Sequence, residues 1–554
     1  MKQTLLLFAT ALITAAALAQ PVIKNQKVYG GINQDYFSTM CMANDSGIVF
    51  AGSSLSLKSG NKTSSNKGDL DYWIIKQDKN GVKQWERDFG GNGYDRLADI
   101  KPTSDSGFIV VGTSNSNASG SKTADSKGDI DYWIIKLDAN GNKQWDKTIG
   151  GSLADDAQYI IQTSDGGYLV AGLSMSDSTG DKTENNINIG ETWRNNDVWI
   201  VKLDASGNKQ WDNTIGGTAD EGQRIRYQNH EGATRRKLVC KQTAEGGFLI
   251  ATTSQSNISG DKTADRHDGY CDYWVVKTDV NGTVLWDKTI GGDGEEYLSA
   301  MDIAPDGSFL IGGYSWSNAS FEKTEGKKVS DFWIVKLSSA GSIQWDKTIG
   351  GGAEDILQDI QYTSDGGFIL AGNSTSGKSG DKTTPSQGGN DYWIVKINST
   401  GDKEWNKSIG GTHDDVCYGV VAYKPNEYYL GGQSYSPISG DKKVDSIGGW
   451  DYWTMRLIYN PVNAALTTAP IASSKLSTEP DAKSFLLYPN PATTVLHIQN
   501  MGKATFVLSD QSGRRLLTKT INGNSDLNVA AIPAGTYYLS NTTTGTTQKV
   551  VITK

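Results

Sequence analysis

Along most of the chain, apolar and polar residues alternate with a period of two. Within residues 131–151 (DYWIIKLDANGNKQWDKTIGG), Trp133, Ile135 and Leu137 share one face and Ile134 takes the other. The chain then turns through Asp138-Ala139-Asn140-Gly141, resumes as a second extended run and stops at a Gly pair. Alternation on both sides of a short Asn-Gly loop predicts a β-hairpin.

The hairpin recurs. Its Asp-aromatic-Trp start stands at Asp71, Asp131, Asp197, Asp272, Asp331, Asp391 and Asp451, with Val198 replacing the aromatic once. Successive starts are 60, 66, 75, 59, 60 and 60 residues apart. Each repeat reads as four strands: residues 155–163 as the innermost, 168–176 as the second, and 131–137 and 142–149 as the third and fourth. Tight turns such as Asp105-Ser106-Gly107 use residues that tolerate positive φ. One such sheet cannot bury both faces alone, but sheets stacked radially can. The seventh copy lacks its fourth strand and runs into Asn460-Pro461, while residues 22–31 (VIKNQKVYGG) form an orphan strand with the same Gly pair. The expected fold is all-β, a seven-bladed β-propeller over 20–459 closed by the N-terminal strand, rather than an open solenoid.

The flanks differ in composition. Residues 1–19 carry Lys2, an apolar run over 5–17 and Ala17-Leu18-Ala19, the pattern of a signal peptide and too short to span a membrane. Residues 460–483 shift to Ala, Thr, Ser and Pro, a linker. From 484, short alternating runs at 485–488, 495–499, 505–509, 515–520, 536–539 and 548–553 predict a small C-terminal β-sandwich. The 554 residues carry a formal net charge of −9, which excludes a globally basic nucleic-acid surface. Four cysteines make no disulfide framework. A Cys240–Cys271 bridge is disfavoured by the strand between them, so buried thiols are expected.

Candidate chemistry lies in several sets. Four residues beyond each Gly pair stands an acid: Asp35, Asp95, Asp155, Glu221, Glu296, Asp355 and Asp415. Such a ring reads either as a cation site or electrostatic funnel at a channel mouth, or as carboxylates that accept backbone N–H bonds. Recurrence in every copy favours the second. Of the 16 Trp, seven start third strands and six stand on the following strand, the expected core between blades. The remaining Trp193, Trp316 and Trp450 lie in or beside long loops. Between two repeated serines the copies read Leu55, Asn115, Met175, Gln255, Trp316, Thr375 and Tyr435. Aromatic rings there suit stacking on sugars or anchoring a protein. The third copy is extended around 184–196 and the fourth by 224–237, with Arg224, Arg226, His230, Arg235 and Arg236. That basic segment fits an anionic glycan, a carboxylate-rich partner or a self-paired loop. Gly260-Asp261-Lys262-Thr263 lacks the upstream Gly and following helix of a phosphate loop. No nucleophile, metal or cofactor motif is present, so no enzyme and no cofactor is expected. His413-Asp414-Asp415 is the one local cluster to weigh against that.

Tyr488-Pro489-Asn490-Pro491, Val507-Leu508-Ser509-Asp510 before Gly513-Arg514, residues 534–539 (AGTYYL) with Gly535 and Tyr537, and residues 549–554 (KVVITK) from Lys549 to Lys554 occur in that order. They closely resemble the type A C-terminal sorting domain of type IX secretion cargo in Bacteroidota, over 484–554. The resemblance implies passage across both membranes by the type IX machinery, removal of the tail, and release or attachment to surface polysaccharide. The repeats also resemble β-propeller repeats of exported bacterial proteins, which supports the fold and supplies no activity. The expected function is a secreted or cell-surface propeller, with no catalytic role, that binds a glycan or protein partner through its loop-rich face. The alternatives are a polysaccharide-acting enzyme with an acidic channel mouth and a purely structural surface protein.

Overall fold

The computed structural model describes residues 20–187, 195–222, 238–327, 329–460, 485–488, 492–499, 503–510, 514–542 and 547–553. The chain forms two compact units that divide between Asn463 and Ala464.

The first unit is built from seven four-stranded antiparallel sheets among the described residues. The first sheet runs Asp35–Met42, Ile48–Ser54, Asp71–Gln77 and Lys83–Phe89 in spatial order. Five more repeat that order, with first strands Asp95–Pro102, Asp155–Gln162, Leu238–Gln242, Glu296–Ile303 and Asp355–Tyr362. The seventh takes Asp415–Lys424, Glu427–Ser434 and Asp451–Ile458 from the end of the unit. Its fourth position is filled by Val22–Tyr29, antiparallel to Asp451–Ile458, with Val28 opposite Trp453 and Tyr29 opposite Tyr452. The last sheet therefore draws on both ends of the unit.

Burial follows position in the sheet. Second and third strands such as Phe108–Ser114 and Asp131–Leu137 are buried along their whole length. The fourth strand, Lys143–Ile149, is only partly covered. The Asp-aromatic-Trp start explains how neighbouring sheets lock together. Tyr72 packs on Trp133 of the next sheet at 4.9 Å between ring centroids and donates its hydroxyl to the Trp133 carbonyl at 3.2 Å. Tyr392 does the same to Trp453, at 5.0 and 2.9 Å. Tyr452 of the seventh sheet does it to Trp73 of the first, at 4.8 and 3.1 Å. Of the six Trp of the fourth strands, Trp405 is buried in the core and the other five are less enclosed. Trp85, Trp145, Trp211, Trp286 and Trp345 are half-buried, because no further sheet covers that edge. They lean instead on the next repeat: Trp85 lies 6.0 Å from Phe108, and a Cβ at Gly141 would meet its ring at 3.0 Å.

The C-terminal unit pairs a three-stranded sheet (Leu486–Tyr488, Val495–Gln499, Ser525–Asn528) with a four-stranded one (Arg515–Asn522, Lys503–Ser509, Gly535–Asn541, Thr547–Ile552). Both contribute to one core that includes Phe485, Leu496, Phe506, Leu539 and Val550. Ser525–Asn528 escapes detection in the sequence because it holds one apolar residue, Leu527. All four cysteines are buried free thiols.

Candidate functional site

The repeated polar residues converge where the Gly pair, the two serines, the loop Lys and the strand-start Asp meet. In the third sheet Asp155 accepts the Gly151 N–H at 2.6 Å and the hydroxyls of Ser174 and Ser176 at 2.5 and 3.1 Å. In the second, Asp95 accepts the Gly91 N–H at 2.7 Å and the Ser116 hydroxyl at 2.9 Å. All seven acids of the set are fully buried, so they anchor turns and line no open channel mouth. Beside them, strand-start Asp131 is fully buried and accepts the Lys127 N–H. Lys122 threads underneath and donates to the Ser116 and Ala124 carbonyls at 2.8 and 2.9 Å. The Lys of the Gly-x-Lys-Thr echo is therefore a buried plug, with Lys262 lying 6.0 Å from the Trp274 ring. Burial pushes Asp35 up to about 6 and Asp155 up to about 7, against hydrogen bonds that pull both down. Burial also lowers Lys323, Lys382 and Lys442 to about 8, against the pull of neighbouring carboxylates.

This crowding dictates the Gly pair. A Cβ at Gly151 would overlap the Ser176 side chain, and one at Gly150 the Asp131 carboxylate. Gly151→Ala is expected to cost about 2 kcal/mol by overpacking, read as a lower urea midpoint at unchanged m-value.

The register places the long loops at the same end as these acids, since Asp355 lies opposite Ser374, just before the loop. The loops are tied down by short bridges such as Ser259–Lys262 and Ser439–Lys442. Within them Gly60, Gly120, Gly180, Gly260, Gly380 and Gly440 hold left-handed backbone, φ between +53° and +59°. The fifth copy puts Phe321 in that slot at φ +49°, with 58 % of its surface exposed. A bulky residue held there costs roughly 1–2 kcal/mol, and retained strain of this kind points to a use. The Phe321 ring lies against His267, with centroids 4.2 Å apart and planes tilted by 39°. His267 Nδ1 is 2.9 Å from Asp272 Oδ2, and Nε2 is 3.4 Å from Glu322 Oε2. Trp316, earlier in that loop, is half-buried with the Lys327 ammonium 5.3 Å from its ring.

A second aromatic group sits at the sixth and seventh sheets. Tyr435 is 50 % exposed, with His413 and Trp450 at 5.8 and 5.9 Å. Trp450 is fixed from behind, its N–H donating to Gln34 Oε1 at 2.7 Å and its carbonyl accepting the Asp35 N–H at 2.6 Å. The structure thus joins Tyr435 and Trp450, and places Trp316 apart from them, in the loop of the fifth sheet. Trp193, Arg224, Arg226, His230, Arg235 and Arg236 lie outside the described residues. Phe321 and His267 were missed by reading for extra Trp. Their signal is Phe in a frame that reads Ser-Gly-Asp-Lys in three other copies and keeps the Gly in all six. Among the described residues, no group of three His, Cys, Asp or Glu could hold a metal, and no helix is long and apolar enough to cross a membrane.

In the C-terminal unit, Tyr488 ends one strand, Gly535 begins another, and Lys549 lies in the last. Tyr537 is buried and donates its hydroxyl to the Pro533 carbonyl at 2.8 Å. Pro489, Asn490, Pro491 and Lys554 lie outside the described residues. Residues 486–553 match the family described as "Secretion system C-terminal sorting domain". The C-terminal unit is a secretion-system sorting domain. The sorting domain implies export by type IX secretion to the cell surface or the extracellular space. Regulatory protein FlaEY of Caulobacter vibrioides is 24% identical over 232 residues, which is 37% of this chain and 23% of that protein. Solved structures similar to the chain include the Neurospora crassa Pan2 WD40 domain, at 10% identity over 79% of this chain and 97% of that one, TM-score 0.39. YCF48 bound to D1 peptide is 8% identical over 81% of this chain and 100% of that one, TM-score 0.38.

Proposed function

We propose that the first unit is a closed seven-bladed propeller which the sorting domain, together with an N-terminal signal peptide, delivers outside a Bacteroidota cell. There it binds a glycan or protein partner through its loop-rich end and catalyses nothing. Closure is supported by the pairing of Val22–Tyr29 with Asp451–Ile458 and by the Tyr452–Trp73 contact between the last and first sheets. The observation that carries binding is Phe321, an exposed aromatic kept in strained backbone where six copies use Gly. Strain that burial does not repay is explained by a ligand that stacks on the ring, and sugar faces and apolar side chains both do so. The Tyr435–Trp450 pair offers the same chemistry on the same end.

Glycan-array and surface-polysaccharide binding of the secreted protein test this. Phe321→Gly is expected to unfold at higher urea, by about 1 kcal/mol, and to bind at least 10-fold more weakly. Tyr435→Ala is expected to weaken binding with unchanged stability. Full retention of glycan and surface binding in both variants would remove the loop-rich end as the site.

A further inference from the structure

The interior of the first unit holds a second place where the repeat breaks. A cavity of ≈ 170 Å³ is lined by residues from six of the seven first strands, among them Met40, Lys101, Tyr159, Lys241, Met301 and Asp359. Lys101 lies opposite Ile109 and Lys241 opposite Leu249, next to the tight turn, so this chamber lies at the end away from the long loops. Their side chains keep 22% and 28% exposure, which opens the chamber to water.

Nothing in the scaffold requires charge here. At the register position of Lys101 and Lys241, other copies carry Ile161 and Val421, and at that of Asp359 they carry Val239, Ala300 and Gly419. Lysine and aspartate are seldom enclosed unless something pairs with them. The charged groups come from four sheets. Lys101 and Lys241 come from the second and fourth sheets and flank Tyr159 of the third, with the Lys101 ammonium 4.5 Å from the Tyr159 ring. Asp302 and Asp359 come from the fifth and sixth sheets. Lys101 pairs with Asp99 at 2.6 Å and Lys241 with Asp302 at 2.8 Å. Asp302 also accepts the Tyr362 N–H at 2.8 Å, and Asp359 the Val420 N–H at 3.0 Å, so both carboxylates are held in place. Burial alone would discharge Lys241, but Tyr159, Asp302 and Asp359 outweigh it and raise it above the usual lysine value.

A simple anion would meet carboxylates already beside both lysines, and a simple cation would meet two ammoniums. Both lysines already hold carboxylates, so a ligand with one charge of each sign offsets the carboxylate it brings to the lysines with an ammonium beside Asp359. The volume is about five to six times that of a liquid water molecule and below the usual drug-sized pocket. Tyr159, Met40 and Met301 supply an apolar wall. We infer that this chamber binds a compact zwitterion, a free amino acid with an apolar side chain, its carboxylate toward Lys101 and Lys241 and its ammonium toward Asp359. The chamber is independent of the loop-rich end and of any ligand bound there.

Titration calorimetry on the full secreted chain tests the assignment with L-leucine, L-methionine and L-phenylalanine. The controls are 4-methylpentanoate, which is leucine without its amine, and isopentylamine, which is leucine without its carboxylate. At least one amino acid is expected to bind, with each leucine control at least 30-fold weaker than leucine. Lys241→Met and Asp359→Asn are each expected to weaken binding 10-fold or more. Should Lys241→Met fail to fold, Lys101→Gln replaces it, with the thermal midpoint reporting the fold. Absence of binding by all three amino acids, a control that binds as tightly as leucine, or undiminished binding in folded variants would overturn the proposal.

Discussion

A chain that lacks residues 20–29 is expected to melt on the order of 10 °C lower than the intact protein, in one cooperative transition. Val22–Tyr29 supplies the fourth strand of the seventh sheet, and its loss leaves Asp451–Ile458 as an unpaired edge. It also removes Val28 and Tyr29, both buried, worth roughly 1.5–3 kcal/mol each in apolar burial. Tyr29 reaches the first sheet as well, where Gln77 Nε2 donates to its hydroxyl at 2.5 Å, and its ring lies 6.4 Å from Phe50. A total near 4 kcal/mol corresponds to roughly 10 °C at 2–4 °C per kcal/mol for a large domain. In a linear array the loss would stay with the last repeat, and calorimetry would show an early, separate transition. In a closed ring every sheet has two neighbours, so the whole unit shifts together. A separate early transition with the main one unmoved would count against closure.

The thermal midpoint is expected to be highest near pH 4 and several degrees lower near pH 8. Burial raises Asp155, Asp391 and Asp451 to about 7, and Asp131 to about 6. In the unfolded chain these groups release their protons near pH 4. Between about pH 4 and 7 the unfolded state therefore binds fewer protons than the native one, and stability falls as pH rises. A single carboxyl raised that far is worth about 4 kcal/mol, so even a strongly offset sum is measurable. The buried lysines act in the other direction at higher pH. Lys323, Lys382 and Lys442 lose their protons near 8 when folded and near 10.4 when unfolded, so stability recovers across that interval. The acid limit has a different origin. For Asp105 and Asp165 burial is outweighed by hydrogen bonds from Lys136 and Lys202 and from neighbouring Thr and Gly groups, which hold both at about 2. Their contribution is present above about pH 4 and is lost as pH falls through 2. Scanning fluorimetry from pH 3 to 10 reads the whole curve, and a midpoint that rises from pH 5 to 7 would overturn the assignment of protons to the buried carboxyls.

The repeat unit was legible because the same packing problem recurs seven times. Trp133, Ile135 and Leu137 advertise a buried strand, and Asn140-Gly141 a turn, from nearest-neighbour chemistry alone. The proposed binding end was only partly legible. Tyr435 and Trp450 stand out as aromatics in loops, yet that they touch depends on two strands of the seventh sheet lying side by side. Phe321 carries a signal only when its slot is known to hold left-handed backbone. The seven acids illustrate the opposite error open to sequence reading, since a conspicuous ring of carboxylates is turn chemistry once each is seen held as Asp155 is, by Ser174, Ser176 and the Gly151 N–H.

By itself the sequence determined what local periodicity and composition can encode: seven four-stranded units, the residues of their turns, and a C-terminal sorting module marked by ordered motifs. Tertiary structure alone decided which charges are buried, because Lys122 and Asp131 look like surface residues until a loop folds back over them. It also decided that Lys101, Tyr159, Lys241 and Asp359, spread over more than 250 residues, line one chamber. The physical reason is the same in both cases. Strand and turn are fixed by neighbours in the chain, whereas burial and electrostatics are fixed by neighbours in space, and stacking the sheets makes those neighbours from different repeats.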